Sequence, residues 1–434
     1  GAPARLAAAG AAGTPSGPPV RDPKGDEELK EKLQSLGYLS QDTANSHNNR
    51  GMLLLNKGDF DGAIAEFEKA IASSEDLSIA RLNIARAQYK KKDYDAAVAS
   101  IEEHLKRRPR SKEAENLLGN IAMDRGQMQA AEAHFRKALE YEPHFTDARN
   151  SLGILYDRQG RQEEALREFN EVVKVDPDYA EAYNNIGVIR KKQGRLDDAI
   201  AAFRRAIRAD SEFTGSYSNL ALVLEERGDL KGAEAQFKEA LAREPKNVAV
   251  RTNYGGLLYT LGRYEDARRQ LEQAVRDDPS YASAHNNLGA VYGKLGRSVD
   301  EIAAYRKAVA LDPHYADVHH NLGLALLKEG EREAGEAELR AALRIDPTYV
   351  PAYLNLALSL RDRGDLEGAV RLLHEARAQV PRDSNVARLL GEILVQEGRK
   401  AEGIDVLKES LDLDPNQPDL RRTVEHLAAQ ETGP

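Results

Sequence analysis

"AEAYNNIGVIRKKQGRLDDAIAAFRRAIRADS", residues 180–211, and "ASAHNNLGAVYGKLGRSVDEIAAYRKAVALDP", residues 282–313, carry the same residue types in the same order. Prolines at 109, 143, 177, 245, 279, 313, 347, 381 and 415 extend the pattern, with gaps of 34 residues, or 68 where Ser211 stands in for proline. With that proline at position 32, the first unit starts at Ala44 and eleven units run without insertion to Gln417. A fixed period of this length marks a solenoid of stacked supersecondary units, not a chain of separate globular domains.

Each column states its own physical requirement. Position 8 is Gly or Ala in every unit, from Gly51 to Gly391, so two helices must approach closely there. Position 15 is Gly in all units but the second, which has Lys92. A glycine there takes positive φ and ends a first helix. Position 20 is mostly Ala, position 27 is mostly Ala, and position 24 is large and apolar, as in Phe67, Phe169 and Leu373. Proline at 32 ends a second helix because it has no N–H to donate. The apolar spacing (4, 7, 8, 11, then 20, 24, 27) is helical. The sequence therefore predicts an all-α chain in which each unit is a first helix over positions 1–14, a turn, and a second helix over 17–31. One such hairpin buries too little surface alone, so stacking supplies the core. Glu301 at position 20, His104 at position 27, and Glu75 and Ser211 at position 32 depart from the pattern.

This pattern resembles the tetratricopeptide repeat, over Ala44 to Gln417. The resemblance implies a right-handed superhelical solenoid of eleven 34-residue helix–turn–helix repeats, with the first helices lining a concave face. It also implies a scaffold for protein–protein interaction and no catalytic activity, and it leaves the ligand open.

The flanks differ in composition. Residues 1–25 are a Gly/Ala/Pro-rich arm, and residues 26–43 hold a short amphipathic helix with Leu29, Leu33 and Leu36 on one face, followed by a linker. Residues 418–434 are expected to form a capping helix and tail, with Leu420, Val424 and Leu427 turned toward the last unit. Leu33, Leu36, Gly37 and Tyr38 also resemble the junction in bacterial proteins where a sulfatase-like domain gives way to tetratricopeptide repeats. That resemblance implies an accessory repeat domain and a bacterial periplasmic, cell-surface or extracellular home; none of that family's catalytic residues lies in this chain.

Composition narrows the function classes. The 62 basic and 71 acidic side chains give a net charge of −9, which argues against nucleic acid as the partner. Cysteine is absent, so thiolate metal sites and disulfides are excluded. His285 and His319 share position 4 of adjacent units but occupy a packing column, and no metal or cofactor site is expected. No phosphate loop, nucleophile–base pair or paired-acid motif emerges, so no catalytic residue is assigned. No run is apolar enough for membrane insertion.

The leading candidate for binding is a column of amides at position 6: Asn49, Asn83, Asn185, Asn219, Asn253, Asn287, Asn321 and Asn355. Leu117, Ser151 and Leu389 interrupt it, and Asn116 and Asn150 stand one residue earlier in their units. A primary amide offers donors and an acceptor, so a ladder of them suits an extended peptide backbone whatever its sequence. It resembles the asparagine ladder in the repeat domain of O-linked N-acetylglucosamine transferases, which implies peptide binding. The other reading is that the amides satisfy one another or backbone between repeats. Lys90, Arg86, Lys191 and Lys192 place charge beside the ladder, and Leu222, Tyr259, Leu324, Leu327 and Leu358 place apolar spots. The expected function is peptide binding in the groove. The alternative is a self-assembling protein, forming filaments or oligomers with the arm docked on a neighbouring subunit.

Overall fold

The structure, a computed structural model, describes residues 43–74 and 77–431. The arm over 1–25 and the amphipathic helix expected over 26–39 lie outside the described residues. So does the sulfatase-like junction.

Twenty-three α-helices and no strand occur among the described residues. They alternate as the columns require. The first helices include Ala44–Lys57, Ala180–Lys192, Val248–Thr260 and Ala282–Lys294; the second helices include Phe60–Ser73, Gln162–Val175, Leu196–Ala209 and Tyr264–Asp277. The turn glycines all adopt positive φ, from Gly58 at 78° to Gly398 at 91°. Lys92 is forced into the same left-handed conformation, at 64°, and is the sole non-glycine residue there among those described. The cap closes the helix in the same way each time. In the first repeat, the Gly58 N–H reaches the carbonyl of Leu55 at 3.1 Å, and the Asp59 N–H reaches that of Leu54 at 3.0 Å.

Within a hairpin, the small residue at position 8 faces the large one at position 24. A Cβ at Gly153 would lie 2.6 Å from the Phe169 ring, and one at Gly255 would lie 2.6 Å from Leu271 Cγ. Phe67, Phe135, Phe169, Phe203 and Phe237 are fully or almost fully buried in this way. Positions 12 and 20 are matched by size as well. Glu301 lies over Gly293, Leu327 over Gly335, and Val395 over Gly403, so each departure at position 20 is compensated eight residues earlier. The polar residues at position 27 are also accommodated. The His104 Nδ1–H donates to the Ser78 carbonyl at 2.8 Å, and Ser410 Oγ donates to that of Ser384 at 2.9 Å.

The described helices group into two compact units, one ending at Arg243 and one beginning at Glu244. The first holds repeats one to six and the second holds repeats seven to eleven with the helix Pro418–Glu431. In both, a first helix touches the first helix of the next repeat, as Ala180–Lys192 does Thr214–Glu226 and Val248–Thr260 does Ala282–Lys294. Consecutive second helices have no comparable contact among the described residues. Leu420 and Val424 of the terminal helix pack on Ile404 and Leu407, while Arg421, Arg422, Glu425 and His426 are exposed.

Candidate interaction face of the first helices

The amide column sits where neighbouring first helices meet. Six of its members (Asn83, Asn150, Asn219, Asn253, Asn287 and Asn321) are buried, and Asn49, Asn116, Asn185 and Asn355 are half-buried. Their bonds follow one rule: position 6 of a repeat donates to position 5 of the repeat before it, 35 residues earlier. Asn83 Nδ2 donates to Asn48 Oδ1 at 2.9 Å, Asn185 to Asn150 at 3.2 Å, Asn219 to Asn184 at 2.9 Å and Asn321 to Asn286 at 3.0 Å. Asn355 Nδ2 meets His320 Nε2 in the same register at 3.1 Å.

The rule also accounts for the interruptions. Leu117 follows Leu82 in this register and both are buried in one apolar cluster. Leu389 follows Leu354, again in a shared cluster. Amide therefore faces amide or imidazole at some junctions, and leucine faces leucine at others. Ser151 is too short to take the donor's place, and Asn116 Oδ1 is buried without a partner. These bonds are what the other reading expected, amides satisfying one another between repeats, but column 6 alone did not give the partner, because its signal lies in column 5 of the preceding repeat. Two further amides stand apart. Asn253 Oδ1 is buried with no hydrogen-bond partner. Asn287 is wholly buried beside Asn286.

Around the column, much of the charge is already compensated. Arg86 Nη1 donates to Asn83 Oδ1 at 3.0 Å, and burial holds both the Arg86 guanidinium and the Lys90 ammonium below their usual pKa values. Lys192 pairs with Asp157 at 2.7 Å, and Lys191 lies 3.8 Å from Glu226. Tyrosines at position 34 fold back onto their own first helix, as Tyr179 does to Asp147 (3.2 Å) and Tyr349 to Asp317 (2.7 Å). Leu222, Leu324 and Leu358 stay half-buried on this face, whereas Leu327 packs over Gly335 of its own second helix. Tyr259 is half-buried too, but its hydroxyl is inside and unpartnered.

The histidines at position 4 are tied to groups of their own repeat and of the proline turn that ends the repeat before. His319 Nδ1 bonds Glu338 at 2.6 Å and its Nε2 lies 3.2 Å from the Pro313 carbonyl; His285 Nε2 lies 3.1 Å from that of Pro279. The Glu338 hydrogen bond raises the His319 pKa, whereas burial lowers that of His285. No group of three or more potential metal ligands occurs among the described residues. No helix among them is long and apolar enough to cross a membrane.

Comparison with known proteins agrees with the architecture. Sequence models of the tetratricopeptide repeat match residues 48–112, 116–173, 152–212 and 354–418, with further matches over 224–290, 282–315 and 302–330. The comparison with curated proteins finds no match. Among solved structures, yeast Tom70 is 16% identical, with a TM-score of 0.51 over 89% of this chain and 96% of that one. The human IFIT1 dimer with m7Gppp-AAAA is also 16% identical, with a TM-score of 0.52 over 91% and 95%. Likeness at this identity is a likeness of fold. Taken with the repeat columns and the paired helices, the matches show that the chain belongs to the tetratricopeptide-repeat family, a family of protein-interaction scaffolds.

Proposed function

We propose that the chain holds an extended segment of a partner polypeptide against the face formed by the first helices. One observation carries this reading. Bonds such as Asn219 to Asn184 and Asn321 to Asn286 fix neighbouring first helices in one register, so the half-exposed groups beside them form a pre-set row. Each compact unit carries its own row: Asn185 and Leu222 in the first, and Leu324, Asn355 and Leu358 in the second. A surface already ordered spares the entropy of ordering it on binding. Its period suits an extended chain: packed helices lie about 8–10 Å apart, and a strand advances about 3.3 Å per residue. Roughly every third ligand residue would then meet an equivalent position.

In this reading the ladder asparagines divide their work. The buried Asn83, Asn150, Asn219 and Asn321 only hold the register, whereas the half-buried Asn185 and Asn355 hold it and, with Asn49 and Asn116, meet the ligand. The test uses a displayed library of random twelve-residue peptides, selected on the full chain. The reading expects an enriched pool whose affinity falls about tenfold with Asn185→Ala or Leu324→Ala, the cost of one lost contact. A library that yields nothing above background overturns it.

A further inference from the structure

Among the described residues, no second helix precedes Ala44–Lys57, the first helix of repeat one. That helix nonetheless keeps two features that later first helices turn toward the second helix before them. The first is position 10. In repeats two to six it is Ala87, Ile121, Leu155, Ile189 and Val223, all buried. Ile121 shares an apolar cluster with Ile101 of the preceding second helix, and Leu155 shares one with Phe135. In repeat one, position 10 is Leu53, and it is only half-buried. The second feature is position 14. Lys91, Arg125 and Arg227 stand there and pair with Asp61, Asp95 and Asp197 of the second helix before, 30 residues earlier. In repeat one it is Lys57, which is exposed. Position 7, Ile84 or Leu152 later, is Arg50, so Leu53 lies between two cations.

The sequence upstream offers the complement. One period of 34 residues before the second helix Phe60–Ser73 are residues 26–39, the span over which the sequence expects an amphipathic helix. Residues 40–43 then give a connection as long as residues 108–111, which join Tyr94–Arg107 to Lys112–Asp124. Helices joined by so short a turn run antiparallel. The 30-residue spacing of the ion pairs sets Lys57 level with Glu27, and Leu53 level with Glu31, between Leu29 and Leu33. Leu29, Leu33 and Leu36 fall at positions 20, 24 and 27, columns that face the first helix of the same repeat elsewhere. Residues 10–23, in the place of that helix, hold Pro15, Pro18, Pro19 and Pro23, which a helix interior excludes. The leucine face is therefore left for repeat one. Position 28, Ile71 or Leu105 later, is Gly37 here, so those leucines are the segment's main apolar face. Asp26, Glu27 and Glu28 make its start acidic, opposite in sign to Lys57 at the end of the helix it would meet.

We propose that residues 26–39 dock on the outer flank of Ala44–Lys57 as a half-repeat, a second helix without a first, with Leu29 and Leu33 closing over Leu53. The occupant of this flank is the chain's own segment, and a second copy is the competitor. A solenoid needs a polar outer face at each end to stay soluble, and Glu31, Gln34 and Ser35, on the side of the segment away from the leucines, would supply it here. Docked in this way, the segment closes the first end of the repeat array to end-on stacking, as Pro418–Glu431 closes the last. The proposal is independent of groove binding.

The absence of cysteine permits a direct test in the full chain. Leu33→Cys with Leu53→Cys places two thiols across the proposed contact. Glu31→Cys with Leu53→Cys is the control, because Glu31 is level with Leu53 but lies two residues, or about 200°, around the helix from Leu33. The probe is dibromobimane, which fluoresces on bridging two thiols. The proposal expects the first pair to give monomeric bridged chain, several-fold brighter than the control. Equal labelling of the two pairs overturns it. Bridged dimers on a denaturing gel overturn it too, by giving the flank to a second copy. A second measurement needs no cysteine. Leu33→Ala and Leu53→Ala remove the same contact, so together they should lower the melting temperature by less than the sum of their separate effects. Additive losses overturn the docking.

Discussion

Asn219 donates its side-chain amide to Asn184 at 2.9 Å, and the two residues stand 35 apart in a chain whose period is 34. That single residue of offset is the stacking rule of the first helices. It converts a column of identical residues into a set of cross-repeat pairs.

The pairing predicts how substitutions combine. Asn184→Leu alone leaves the buried Asn219 amide without its acceptor, at about 1–3 kcal/mol. Asn219→Leu alone costs a similar amount. The double variant recreates the apolar junction already present at Leu82 and Leu117, and should recover most of the loss. Chemical denaturation of the four proteins measures the coupling. Simple additivity would show that the two side chains do not act as a pair.

Much of this architecture was legible in the sequence, and the part that was not has a physical cause. Gly58 through Gly398 announced their turns because only glycine takes positive φ without strain, and the position-32 prolines announced the ends of the second helices. The amide pairs were hidden because aligning equivalent positions compares residues 34 apart, while stacked helices bring together residues 35 apart. The signal was present in Leu82 with Leu117 and in Leu354 with Leu389, which change character together. Glu301 was legible as a departure, but its match to Gly293 required knowing that positions 12 and 20 face each other.

Lys92 offers a second test. It holds the left-handed conformation that glycine holds in the other repeats, at φ 64°. A side chain there costs about 1–2 kcal/mol. Lys92→Gly should therefore raise stability by about 1 kcal/mol, seen as a higher melting temperature. An unchanged or lower value would contradict the assignment of strain to this turn.

Gly153 tests the hairpin contact. A methyl group there meets the Phe169 ring at 2.6 Å. Overpacking of this kind costs about 1–3 kcal/mol, and Gly153→Ala should lower the denaturation midpoint accordingly. Pairing it with Phe169→Leu should lose less than the sum of the two single changes, because repeat ten already combines Ala357 with Leu373 at these two positions in one buried cluster.

His319 and Glu338 predict a pH dependence. Their hydrogen bond raises the histidine pKa, against burial and the nearby Arg344 charge. A raised folded-state pKa stabilises fully below the unfolded value of about 6.5, and the gain fades as pH rises through the folded value. The stability gap between wild type and Glu338→Gln should thus be larger at pH 5.5 than at pH 8. A gap independent of pH would mean that the pair is not charge-assisted.

The most direct test of the account is to find where a bound peptide lies. Peptides from the enriched pool, carrying a photoreactive group, can be cross-linked to the full chain and the adducts mapped by mass spectrometry. The account predicts adducts on first helices, including residues 180–192 and 248–260. Adducts concentrated on second helices such as residues 162–175 and 264–277 would contradict it.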